Sequence, residues 1–195
     1  PKGSGKRNSE QFIRELVAQG ADVNAQLFRG RKAGKGRVSE IGATAFFMAA
    51  DRADLPYMKL LLELGADPFI PNEDGCTTVL VAAGIGSTAP EEEAGSEDEI
   101  LETLDFLLNL GLDINTVDDN GETAMHGAAY KNVPAVATFL HKHGHKIDVW
   151  NKNNNMDRTP LLLAEGYRPG NFKPSFSTVD AIIEIMRSEG VEPPS

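Results

Sequence analysis

The 195-residue chain is predicted to be an all-α solenoid of stacked helix-turn-helix units with projecting β-hairpin turns, and three observations predict it. A Gly-led phrase occurs four times: GADVNAQ from 20, GADPFIP from 65, GLDINTV from 111 and GHKIDVW from 144. An apolar stretch precedes each copy, as FIRELVAQ, YMKLLLEL, LETLDFLLNL and AVATFLHKH. A second phrase stands ahead of a helix each time: GATAFFMAA from 42, CTTVLVAAG from 76, ETAMHGAAY from 122 and RTPLLLAEG from 158.

Each element follows from its residues. Leu60, Leu61 and Leu64, like Leu104, Leu107 and Leu108, fall three and four apart, the spacing of a helix with one buried face. The Gly that follows is a helix stop, because only glycine takes the left-handed conformation without a side-chain clash. In the second phrase Thr44, Thr77, Thr123 and Thr159 open a short helix as N-cap acceptors, and the paired alanines let a neighbouring helix approach. Glu73-Asp74-Gly75 and Asp119-Asn120-Gly121 read as tight turns. The chain is therefore expected to be one domain over 1–195. It opens with a partial unit at 9–25 and a basic hairpin insertion at 26–41. Units at 42–71, 72–117 (with an acidic loop at 87–99) and 118–150 follow, then a capping unit at 151–190.

Composition removes several function classes. Hydrophobic residues make up 41% and charged residues 25%, a globular balance. No apolar run approaches the roughly eighteen residues needed to cross a bilayer, so a soluble chain is expected, with the cytoplasm favoured. The single cysteine, Cys76, excludes an internal disulfide and a Cys-based zinc site, and reads as a small buried hydrophobe. A net charge of -10 disfavours nucleic acid, although the first 37 residues hold nine Lys or Arg against Glu10, Glu15 and Asp22.

The repeated phrases resemble the ankyrin repeat, with its period of about 33 residues and its T-P-L-H-x-A signature. Thr123-Ala124-Met125-His126-Gly127-Ala128 and Thr159-Pro160-Leu161-Leu162-Leu163-Ala164 are the nearest matches, and the likeness extends over about residues 10–190. The resemblance implies a binding module with a preformed concave face made of turn tips and short first helices. It also implies that Thr123 and His126 are structural, His126 bracing neighbouring turns. Phe47, Leu80 and Leu162 replace the histidine in the other units, which puts that polar bracing in question there.

Insertions in a repeat array often carry specificity. Gln26 to Ile41 sets five cations around glycines, and Arg29, Arg31, Lys32, Lys35 and Arg37 are expected to grip an acidic partner. Turn-tip residues Asp74, Asp119, Trp150 and Asn153 complete the expected contact set. Ser87 to Glu99 reads as a flexible acidic loop without calcium-loop spacing. Tyr167 to Ser177, with Tyr167, Phe172 and Phe176, either packs over the end of the core or lines a groove. His141, His143 and His145 read as exposed histidines near a helix end, at a spacing unsuited to one metal. No metal or cofactor is expected, and no nucleophile elbow, phosphate loop or dinucleotide turn is present.

The resulting expectation is a monomeric, non-catalytic module that binds another protein. The alternatives are a glycoside-type hydrolase using the turn carboxylates Asp74, Asp118, Asp119 and Asp157, and a structural fragment of a larger protein.

Overall fold

A computed structural model describes residues 8–33, 37–89, 93–168 and 173–194. Lys35, Glu91, Glu92 and Phe172 fall outside them. The helices are α1 (Ser9–Ala18), α2 (Ala45–Asp51), α3 (Leu55–Glu63), α4 (Thr78–Ala82), α5 (Glu97–Asn109), α6 (Ala124–Lys131), α7 (Pro134–Lys142), α8 (Ile147–Trp150), α9 (Pro160–Ala164) and α10 (Phe176–Ser188).

Local chemistry sets their ends. The Oγ1 atoms of Thr44, Thr77 and Thr159 accept the N–H of Phe47, Leu80 and Leu162, starting α2, α4 and α9. Polar capping thus survives in these units even though no histidine follows. Ser96 and Glu99 form a reciprocal cap on α5, so Glu97 to Glu99 of the acidic stretch belong to a helix start, where their charge complements the helix dipole. Gly20, Gly65, Gly111 and Gly144 follow the second helices with φ between 84° and 94°.

The helices pack in two layers. Short helices α2, α4, α6 and α9 stack on one another, and longer helices α3, α5, α7 and α10 stack behind them. One continuous core lies between the layers, with Phe46, Leu80, Leu104, Leu107, Met125 and Leu140 fully buried. Each such side chain contributes about 1.5–3 kcal/mol by leaving water. The inner layer closes tightly at Gly127, where an added Cβ would lie 2.9 Å from the Ala83 carbonyl carbon. The C-terminal end of α6 is plugged by Arg168, itself buried, which donates to the Ala129 and Tyr130 carbonyls and places a cation at the negative end of the helix.

Three expectations are corrected. The turns form no strand among the described residues; each closes by one backbone pair and a side-chain brace rather than by a β-ladder. Trp150, expected at an exposed turn tip, is 0% exposed. The turn that bears it is three residues longer than its counterparts, since Gly65 to Asn72 and Gly111 to Asp118 span seven positions and Gly144 to Asn154 spans ten. The surplus coils into α8, which turns the indole into the core. His145, expected to be exposed, is also buried. His143 stacks on Phe139 at 3.8 Å, while His141 faces Glu189 at 3.6 Å. Tyr167 and Phe176 stay exposed, so neither packs over the core. No helix among the described residues is long and apolar enough to cross a membrane.

The turn row and its basic hairpin as a candidate interaction surface

The turns repeat one design. A side-chain oxygen at the first position accepts two backbone N–H groups further on, which folds the loop back without a strand partner. Asn72 Oδ1 accepts from Asp74 (3.0 Å) and Cys76 (2.9 Å). Asp118 Oδ1 accepts from Asn120 (2.9 Å) and Glu122 (2.8 Å). Asn154 Oδ1 accepts from Met156 (3.0 Å) and Arg158 (3.1 Å). The fourth position needs positive φ: Gly75 has 71°, Gly121 has 73°, and Asp157 takes the same place at 55°.

Successive turns are joined edge to edge. Glu73 N–H donates to the Ile41 carbonyl (2.9 Å), Asp119 N–H to Asp74 (2.9 Å) and Asn155 N–H to Asn120 (2.8 Å). A second brace runs beneath. Asn24 Nδ2 donates to the Gly65 carbonyl while its Oδ1 accepts the Asp67 N–H, and Asn115 treats Gly144 and Lys146 in the same way. Phe69 occupies the equivalent place between them, four residues after its Gly, and is exposed.

The insertion forms a hairpin against this row. Leu27 pairs with Gly42 and Ala43 at its base, and further out Arg31 meets Glu40 through backbone and side chain, with Nη2 to Oε1 at 2.7 Å. Ser39 Oγ donates to Glu73 Oε1 (2.6 Å), and Asn72 Nδ2 donates to the Ser39 carbonyl (2.9 Å). Val38 packs over Gly86, where a Cβ would lie 2.9 Å from its Cγ1. The hairpin thereby crosses from the turns onto the inner helices. On one side of Val38 and Ile85 lies a cavity of about 40 Å3 under the turns; on the other, one of about 350 Å3 runs to Asp51, Arg52 and Lys131 at the ends of α2 and α6.

The sequence-selected residues differ in availability. Asp119, Asn153, Lys32 and Arg37 are exposed, as is Asp157. Arg29 lies over the Phe28 ring at 5.4 Å, and Arg31 is paired with Glu40, so neither cation is idle. Lys35 lies outside the described residues. Trp150 is in the core. Asp118 is buried and committed to its turn, and Asp157 sits where the backbone favours Gly, Asn or Asp; turn geometry accounts for both of these carboxylates.

A buried polar network that the sequence reading missed lies behind the row. Tyr130 donates from its hydroxyl to Glu122 Oε1 (2.8 Å), and Asn154 Nδ2 donates to the same oxygen (3.0 Å). Burial pushes Glu122 up to about 8 and Asp118 to about 6. Thr123 N–H donates to His126 Nδ1 (3.2 Å), which leaves Nε2 as the protonated nitrogen of the neutral ring, facing the Lys152 and Arg158 backbone of the next turn. Burial lowers His126 and His145 to about 4. Among the described residues no three His, Cys, Asp or Glu side chains gather closely enough to hold a metal ion.

Paired helices in two layers with a laterally bonded turn row define a helical repeat scaffold in which each unit is stabilised by its neighbours. The fold is that of an ankyrin-repeat solenoid, and the sequence is similar to ankyrin-repeat proteins. The family model for ankyrin repeats in many copies matches residues 96–141. The chain is 30% identical over 178 residues, 80% of its length, to neurogenic locus notch homolog protein 1 of Xenopus tropicalis. To the protein of that name in Homo sapiens it is 29% identical over 180 residues, 82% of its length. It spans 6% of each of these relatives. An ankyrin-repeat protein of Acanthamoeba polyphaga mimivirus is 25% identical over 162 residues, 81% of this chain and 26% of the viral protein. Ankyrin repeats are generally protein-interaction modules and typically non-catalytic.

Proposed function

We propose that the chain binds a protein partner through the face made by the turn row, the inner helices and the basic hairpin. The observation that carries this reading is the lateral bonding of the turns. Backbone bonds from Glu73 to Ile41, Asp119 to Asp74 and Asn155 to Asn120 hold exposed side chains in fixed register, so association orders little that is not already ordered. A flat polar row without such bonds would lose conformational entropy on binding. The hairpin brings Arg37 beside the acidic turn residues Asp74 and Asp118, and this mixed charge suits a partner of alternating sign more than a phosphate backbone.

Pull-down from source lysate with three baits tests the reading: the native chain, a turn and hairpin variant (Arg37→Ser, Asp119→Ser, Asn153→Ser), and an outer-helix variant (Asp105→Ser, Glu184→Ser). One protein retained by the native and outer-helix baits, and lost from the turn variant, is the expected result. Retention by all three, or by none, contradicts it.

A further inference from the structure

We propose that the small cavity between hairpin and turn row is a receptor for the cationic head of a lysine or arginine side chain on the protein partner, an inference that rests on reading this face as the binding surface. Three carboxylates, Asp74, Asp118 and Glu122, line the cavity, and Arg37 and Val38 of the hairpin form its other wall. Two of the carboxylates leave an oxygen buried and without a hydrogen-bond partner, Asp74 Oδ2 and Glu122 Oε2. Glu122 is only 4% exposed, so its free oxygen has no bulk water to turn to; its other oxygen is taken by Tyr130 and Asn154. Burial keeps a proton on Glu122 in the unbound chain, and an entering ammonium or guanidinium would displace it, so that both unmatched oxygens then accept from the cation.

Several features select the kind of donor. A volume of about 40 Å3 admits a single small polar head and no ring. No three acidic or histidine side chains among the described residues are close enough to ligate one metal ion, so the acceptors suit a cation that carries several N–H groups and can reach more than one oxygen. The turn carbonyls are already used in the lateral ladder, leaving these carboxylate oxygens as the open acceptors. Arg37 does not fill the role, since among the described residues it makes no ion pair and its side chain is exposed. It stands at the wall, where it would repel a cation that does not enter along the carboxylate side and so restricts the approach.

The test uses defined probes on the full chain, read by backbone amide shifts. The probes are a Gly/Ser heptapeptide with one central lysine, the same peptide with acetyl-lysine, the same with arginine, and n-butylamine. Saturable shifts at Asn120, Glu122 and Asn155 with the lysine or arginine peptide, absent with acetyl-lysine, are expected. Asp74→Asn removes no described hydrogen bond and should weaken the peptide by about tenfold, the loss of one close charge; Glu122→Gln keeps its acceptor for Tyr130 and should do the same. Equal binding of the acetylated peptide, shifts centred on the acidic residues 93–99, or indifference to both variants overturns the proposal. Butylamine binding as tightly as the peptide would overturn the assignment to a protein side chain. A partner retained in the pull-down with no peptide binding sinks this pocket alone; peptide binding with no retained partner sinks the proposed function alone.

Discussion

Helices α1 and α10 are both amphipathic and both stand at an end of the stack, yet α10 buries Thr178, Ile182, Ile185 and Met186 against α7 and α9, whereas α1 buries no residue and leaves Phe12 and Leu16 exposed by 52% and 41%. Their sequences are alike in pattern; what differs is company. Helix α10 has an inner partner, α9, and a complete unit behind it. Helix α1 has no inner partner among the described residues and reaches the stack through an ion pair, Arg14 to Glu63, between exposed groups. Such a pair is worth little, so a helix in this fold is stabilised by its neighbours and hardly at all by itself.

That contrast can be broken from several directions. The largest effect is expected in the shared core: Leu107→Ala or Leu140→Ala should cost about 2–5 kcal/mol in urea unfolding, whereas Leu16→Ala on α1 should cost under about 1 kcal/mol. Similar costs at both places would refute the dependence of each helix on its neighbours. Next comes Gly127→Ala, whose new methyl meets the Ala83 backbone rather than a flexible side chain. A loss of about 1–3 kcal/mol is expected, and a neutral result would mean that α4 and α6 separate easily.

The pH dependence isolates the buried network. Burial raises Glu122 from 4.5 to about 8, so the folded chain keeps a proton that the unfolded chain has lost. Its contribution is full below about 4.5 and is lost as pH climbs towards about 8. His126 and His145, lowered to about 4, act in the opposite sense, their contribution falling away as pH drops below 6.5. Between 6.5 and 8 Glu122 acts alone among these groups, and stability should fall by at most about 1.4 kcal/mol per pH unit. Glu122→Gln should flatten that slope; an unchanged slope would assign it elsewhere. The smallest effect is a gain. Phe69→Asn should supply the brace that Asn24 and Asn115 already make, towards the Gly111 carbonyl and the Asp113 N–H, and add about 0.5–1.5 kcal/mol. No gain would mean that the brace is local to its two present sites.

The frame was legible because its signals are local: a threonine that caps, a glycine that stops, leucines three and four apart. The Asn brace, at the fourth residue after Gly20 and Gly111, went unread because it makes sense only once the next unit is in place. What resisted reading depends on distance in the chain. Trp150 looks like a turn tip until three surplus residues coil into α8, and Arg168 looks like a surface cation until the end of α6 claims it. Asp118 is the exception, since the two N–H groups it accepts belong to Asn120 and Glu122 close by in the chain, and only its burial comes from the neighbouring turns. The hairpin's path over Gly86 is a contact across nearly fifty residues that no periodicity encodes.

Photo-crosslinking from single positions decides whether the turn row is the binding face. A photoreactive side chain placed at Asn153 or Asp119, and separately at the exposed outer-helix positions Asp105 or Glu184, would be irradiated in source lysate with unlabelled chain as competitor. One competable adduct is expected from the turn positions and none from the outer helices. A competable adduct from the outer helices alone would contradict that reading.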